Sequence, residues 1–398
     1  MRAFGTCCYG VRTPVIKSGD NLAQIVVDSV LEVAKQRQIE LKDRDIVAIT
    51  EAVVGISQGN YATTDQIGKD VEKKFGGKEH LGVVFPTPVS RNRFSLILEG
   101  IAKGAKKITL QFAYPADEVG NELFDEELLY KYHIDPWGQI LTEEEYNKYF
   151  GKELHIFTGV NYVKYFRELI EAQGAEAEII FSNNPLSILN YTKNVVVANI
   201  HKRERTKKLL VEAGAKLVFK TDEILRKSID GSGYNSKYGL LGSNKATDHK
   251  MKLFPEHGDK VVNEVQKMLK KATGKNLEVL VYGDGAFKDP VGGIWELADP
   301  VVSPAHTKGL EGTPNELKLK FIADNTLSEY KGEELVNKMK EQIKNKSSNL
   351  KGTNATLGTT PRRYTDLIGS LCDLTSGSGD KGTPVVLITG YFDNYATE

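Results

Sequence analysis

The chain has 398 residues, 40% of them apolar and 27% charged, and its 53 Lys and Arg balance 53 Asp and Glu. At roughly 150 residues per domain this length fits two or three domains, and the apolar content supports a sizeable core and argues against long disorder. The charge balance supplies no global field for nucleic acid or an anionic membrane, so any phosphate binding must be local. Cys7, Cys8 and Cys372 form no CxxC pair and make neither a disulfide framework nor a zinc site; all three read as buried small hydrophobes in a reducing, cytoplasmic setting. With no run of about 18 apolar residues and no apolar leader, neither a membrane span nor an export signal is expected.

In chain order, the turn-rich stretch Pro14 to Asp20 leads into a helix from Asn21 to Arg37, with Asp20 as its cap and Leu22, Ile25, Val26, Val30 and Val33 at helical spacing. A short buried strand, Asp45 to Thr50, ends in Glu51 and a loop, Gly55 to Asn60. Such strand-to-loop edges are where α/β proteins keep their binding groups. The strand Leu81–Phe85 runs into Pro86 to Phe94, a helix continues to Lys103, and the strand Lys107–Phe112 precedes Tyr114 to Asn121. Residues 125–225 alternate strand and helix: a strand near His155–Phe157, helices at 161–173 and 202–213, strands at 177–182, 195–200 and 215–220. Gly174 and Gly214 fall where helix C-caps belong. This alternation reads as a small inserted α/β module between core segments 1–124 and 226–398. A helix at 258–272, the strand Glu278–Tyr282, Lys-rich helices near 333–345 and the strand Val385–Ile388 complete the pattern.

Chemistry concentrates at the C-terminal block, from Gly358 through Ser376-Gly377-Ser378-Gly379-Asp380-Lys381 to Pro384, where Leu367, Leu371 and Leu374 share a helical face. Glycines let backbone N–H groups approach phosphates, and Lys381 adds charge; the plainer alternative is a loop that caps a helix. Asp284 follows a buried strand and precedes Lys288 and Asp289; a carboxylate at a strand end suits Mg²⁺ or Mn²⁺. Asp117 and Glu118 are a second carboxylate cluster, although any one such cluster is more often a solvated turn. Gly239 to Lys245 lacks the spacing and the GK[ST] ending of a Walker A loop, so it reads as a phosphate or carboxylate contact rather than a nucleotide fingerprint. Arg91 and Arg93 suit an acidic substrate, or else surface ion pairs. The histidines show no ligand spacing, and nothing supports a serine triad.

Three of these stretches resemble the γ-glutamyl ligases that add glutamate to the deazaflavin coenzyme F-420: Thr13 to Asp20 with the following helix, strand and loop to Gly59; the strand ending at Asp284; and the block from Thr360 and Asp366 to Ile388. The resemblance implies a two-lobed α/β homodimer, GTP or ATP as co-substrate, Mg²⁺ or Mn²⁺, and L-glutamate joined to a carboxylate acceptor through an acyl phosphate. It places Thr13, Pro14, Val15 and Ile16 on the nucleotide with Glu51, Asn92 and the Ser376–Gly382 loop. It makes Asp284 a metal ligand with catalytic weight, alongside Lys288 and Lys245. The chain departs from the family pattern at Ala52, Ile56 and Gln58, where lysines and a glutamate are usual. Val89 stands at the aspartate of an Asp-x-x-Asn motif, and Gly285 replaces a threonine. Asp117, Glu118 and Lys245 are the candidates to compensate. The expected function is a nucleotide-dependent γ-glutamyl ligase acting on a deazaflavin or folate-like acceptor. The alternative is a non-catalytic nucleotide- or metabolite-binding protein on the same scaffold.

Overall fold

The computed structural model describes residues 5–87, 94–151, 154, 159–284, 300–356, 362–376 and 379–397. Among them fourteen strands form three sheets. They are β1 (Cys7–Val11), β2 (Ile46–Thr50), β3 (Tyr61–Thr63), β4 (Glu79–Val84), β5 (Ala105–Phe112), β6 (Leu141–Thr142), β7 (Glu176–Phe181), β8 (Asn194–Val197), β9 (Leu217–Lys220), β10 (Asn244–Thr247), β11 (Lys250–Lys252), β12 (Glu278–Tyr282), β13 (Ala305–His306) and β14 (Val385–Thr389). With helices packed on the two larger sheets, the class is α/β as expected.

The first sheet has the order β1-β14-β2-β12-β13, with β2 and β12 parallel and the other pairs antiparallel. Its central strands are apolar at nearly every position because both faces are covered. Val47, Ile49, Val279 and Val281 meet Val26 and Val30 of the helix Leu22–Gln36 and Val262, Val265 and Leu269 of the helix Gly258–Thr273. The alternate residues Ile46, Ala48, Leu280 and Val386 meet Ile368 and Cys372 of the helix Tyr364–Ser376. A side-chain period of two thus makes one five-residue strand serve two layers of core.

The six-stranded sheet runs β6-β7-β5-β4-β8-β9, parallel throughout except for β6 at the edge. From β4 the chain steps to β5 and then β7 on one side, and returns to place β8 and β9 on the other. That order is the doubly wound 3-2-1-4-5 pattern, with its reversal point between β4 and β8. The strands of residues 125–225 therefore flank β4 and β5 in a shared sheet. The third sheet, β10-β11-β3, is a small antiparallel one.

Most elements lie where periodicity puts them, and Gly174 and Gly214 take φ of +82° and +87° just past helix ends. Four expectations change. Asn21, not Asp20, caps the first helix by accepting from Gln24 N at 3.1 Å, while Asp20 accepts from Lys17 N. Glu51–Ser57 is a helix rather than the start of a loop. The helix Tyr364–Ser376 buries Thr365, Ile368, Gly369 and Cys372; Leu374 is 64% exposed, because the stripe facing the sheet lies on Ile368 and Cys372. Of the cysteines only Cys372 is fully buried, which pushes its thiol well up and keeps it protonated; Cys7 and Cys8 are half-buried, on the strand at the sheet's edge. The strand expected near His155–Phe157 lies outside the described residues. Among those described, no helix is long and apolar enough to cross a membrane.

Candidate active site

One register row crosses the first sheet: Val11 pairs with Val385, Val385 with Ile49, Ile49 with Val281, and Val281 with Ala305. Whatever follows or precedes this row in sequence must emerge along one sheet edge. Thr13 to Ile16 leave β1 there, Thr383 and Pro384 enter β14, Thr50 and Glu51 end β2, and Tyr282 to Asp284 end β12. Segments nearly 370 residues apart thus meet: Thr50 N donates to Pro384 O at 2.9 Å, and Arg12 Nε donates to Lys381 O at 3.3 Å across a sequence separation of 369.

The edge encloses a cavity of about 450 Å³. Its lining includes Thr13, Pro14, Val15 and Ile16 on one side, and Ser376, Gly379, Gly382, Thr383 and Pro384 on another. Thr50, Ala52, Val53 and Ile56 contribute from β2 and the following helix, and Tyr282 from β12. The volume lies within the range of about 300–1,000 Å³ typical of small-molecule sites. Thr383 Oγ1 donates to Ser376 O at 3.0 Å, closing the mouth of the glycine-rich loop, and Gly382 takes φ +63°, which favours glycine. Val15 is 85% exposed, unusual for an apolar side chain at a cavity rim.

The lining is mostly apolar, and its polar groups are few. Tyr282 is 2% exposed, its buried hydroxyl lies beside the Ser376 side chain, and burial pushes its phenol well above the ordinary range. A phenol kept protonated here is a hydrogen-bond donor. Thr13, Thr50, Ser376 and Thr383 add hydroxyls. Glu51 is 4% exposed and faces Lys252 Nζ at 3.4 Å, so a buried ion pair flanks the lining helix. Asp284 stands half-buried two residues beyond Tyr282. Among the described residues no three His, Cys, Asp or Glu side chains form a metal cage. A Mg²⁺-type ion does not require one, since it is commonly held by one or two carboxylates plus substrate phosphates.

The other expected site residues fall elsewhere. Lys245 is tied to Asp248 at 2.9 Å in the β10–β11 hairpin. Asp380 and Lys381 are exposed on the glycine-rich loop. Asp117 and Glu118 line a second cavity on the six-stranded sheet and do not join Asp284. Asn92, Arg91, Arg93, Lys288, Gly377 and Ser378 lie outside the described residues.

The sequence profile of F420-0:gamma-glutamyl ligase matches residues 10–390, which contain every segment meeting at this edge. The chain belongs to that family. No individual curated protein matches it. In this gamma-glutamyl ligase family member the helix Glu51–Ser57 carries a buried ion pair formed with a distant strand. Lys252 arrives from β11, about two hundred residues after Glu51 in sequence. Lys252 and Tyr282 escape sequence reasoning because a Lys-Met-Lys strand and a strand-terminal Tyr carry no motif; only the neighbouring Glu51, a charge at a buried strand end, hinted at a partner.

Proposed function

We propose that this protein joins L-glutamate to the carboxylate of a small-molecule acceptor, deazaflavin or folate-like, at the expense of GTP or ATP. The observation that carries the reading is the single register row that brings Thr13–Ile16, Thr50, Tyr282 and the Ser376–Pro384 loop around one cavity. An acceptor carboxylate oxygen bonds to the terminal phosphorus as the nucleoside diphosphate leaves. The glutamate amine then attacks the acyl carbon, loses a proton, and inorganic phosphate departs. Such transfers demand mainly positioning and charge neutralisation. Thr13 to Ile16 on one side and Ser376 with Gly379 to Lys381 on the other hold the nucleotide, the Tyr282 hydroxyl lies beside it, and Asp284 would hold Mg²⁺ or Mn²⁺. When bound, the cation neutralises phosphate oxygens. The family resemblance also favours a cytoplasmic homodimer.

Incubation with either nucleotide, Mg²⁺ or Mn²⁺, L-glutamate and each acceptor should yield nucleoside diphosphate and an acceptor heavier by one glutamyl residue. No mass gain with any acceptor, and no diphosphate, would overturn the reading. A second reading, binding without turnover, draws on Ala52 and Ile56, apolar side chains that line the cavity at positions where the family resemblance would place charges. Asp284→Ala separates the two: a ligase loses turnover, and a binding protein has none to lose.

A further inference from the structure

The six-stranded sheet has a cavity of its own, about 180 Å³, at the carboxyl ends of its parallel strands. Phe85 and Pro86 line it after β4, Ala113 and Ala116 after β5, Asn183 and Pro185 after β7, and Asn199 after β8. β4 and β8 are the two strands between which the winding reverses, and in doubly wound sheets the crevice outside such a reversal is where ligands bind. Neither the register row nor the residues of the 450 Å³ cavity contribute to it.

The charged groups in this crevice divide into those already engaged and those left over. Glu118 accepts backbone N–H groups from Ile200, from His201 at 3.2 Å and from Lys202 at 3.1 Å, so it occupies the start of the helix Arg203–Glu212. Asp117 accepts from Val119 N at 3.0 Å, Asn121 N at 2.9 Å and Asn121 Nδ2 at 3.1 Å. Both carboxylates are therefore held by the protein itself. Lys202 and Arg205, one turn apart and exposed, take part in no ion pair among the described residues. Asn199 is 3% exposed, and its Oδ1 is buried without a partner. Trp137 lines the same cavity with 64% of its surface exposed, an aromatic face open to stacking.

We propose that this crevice is a second ligand site, separate from the 450 Å³ cavity, for a small molecule that carries an anionic group on a planar ring. The anion lies against Lys202 and Arg205, the ring stacks on Trp137, and the Asn199 amide meets a polar edge of the ligand. Ring stacking and cation pairing reinforce each other, so a ring without charge or a charge without a ring binds more weakly. A phosphate or a carboxylate satisfies the cations equally. No G-x-G-x-x-G fingerprint follows β4, which argues against a dinucleotide. This inference stands independently of the ligase reading.

The test uses the full chain with Trp295→Phe, which leaves Trp137 as the sole tryptophan. Its fluorescence is titrated with adenosine 5′-monophosphate, 4-aminobenzoate, adenosine and inorganic phosphate, and calorimetry provides a second readout. Saturable quenching by either ring-bearing anion, weakened at least tenfold in Lys202→Ala/Arg205→Ala and unchanged in Asp284→Ala, is the expected result; which anion acts identifies the group. Four results would overturn the proposal: no saturable response to either ring-bearing anion by either readout, adenosine binding as tightly as its monophosphate, quenching that survives the double variant, or quenching lost in Asp284→Ala. Because the two exposed cations are not part of the ligase cavity, their replacement leaves any glutamyl transfer intact, and failure here is distinguishable from failure of the ligase reading.

Discussion

Lys252 and Glu51 are both nearly buried, with side chains 9% and 5% exposed, and their charged atoms lie 3.4 Å apart. Removing one member of such a pair leaves the other as a buried, under-compensated charge, which typically costs about 3–5 kcal/mol, whereas removing both is far milder. Lys252→Met is therefore expected to lower stability by about 3 kcal/mol in denaturant melts, and Glu51→Gln/Lys252→Met to recover most of the loss. Asp117 makes a different case. Burial raises its carboxyl from the ordinary 3.8 to about 6, against the opposing backbone bonds from Asn121 and Val119. Between those values the folded chain holds a proton that the unfolded chain has released, so stability falls as pH rises through the window and is level above it. Two pH units correspond to about 3 kcal/mol. Subtracting the pH profile of Asp117→Asn from that of the parent should show this decline between about pH 4 and pH 6; a flat difference would refute it.

At the level of elements, the helix Tyr364–Ser376 decides where the glycine-rich loop begins. Its Gly369 packs against the segment that follows β12 in the sheet order, so that a Cβ there would sit 2.7 Å from Val302 Cγ1 and in ordinary contact, 3.7 Å, with Tyr282 Cβ. Gly369→Leu should drive the helix away from Val302, destabilise the fold by about 1–3 kcal/mol, and displace Ser376 from the cavity, weakening nucleotide binding in a titration. The sequence makes the helix visible through Leu367, Leu371 and Leu374 at helical spacing. It misassigns the buried stripe, because Leu367, Leu371 and Leu374 are larger and more apolar than Gly369 and Cys372. Contact with a sheet rewards close approach as well as apolar area, and composition along one element does not reveal that. The helix Glu51–Ser57 escaped for a related reason: a seven-residue helix is too short for periodicity to show.

At the scale of the whole molecule, a ligand that binds only the folded chain stabilises it by mass action, by about 2.7 kcal/mol at a hundredfold excess over Kd. GTP or ATP with Mg²⁺ should therefore raise the melting temperature, and Asp284→Ala should reduce the rise; an unchanged melting temperature with both nucleotides would remove the nucleotide from the first cavity. Length, charge balance, the strands Ile46–Thr50, Glu278–Tyr282 and Val385–Thr389, and the glycines of the C-terminal loop were all legible in the sequence, because burial on both faces and tight turns impose local composition. The resemblance carried by those stretches led to the right family. The partnership of Lys252 with Glu51 and the isolation of Lys245 on its hairpin belong to the tertiary structure alone. So do the single row from Val11 to Val281 and the reversal that opens a second crevice beside Asn199. Each depends on strand order and register between distant segments, and that pairing is set by how whole faces bury together rather than by any residue's neighbours in the chain.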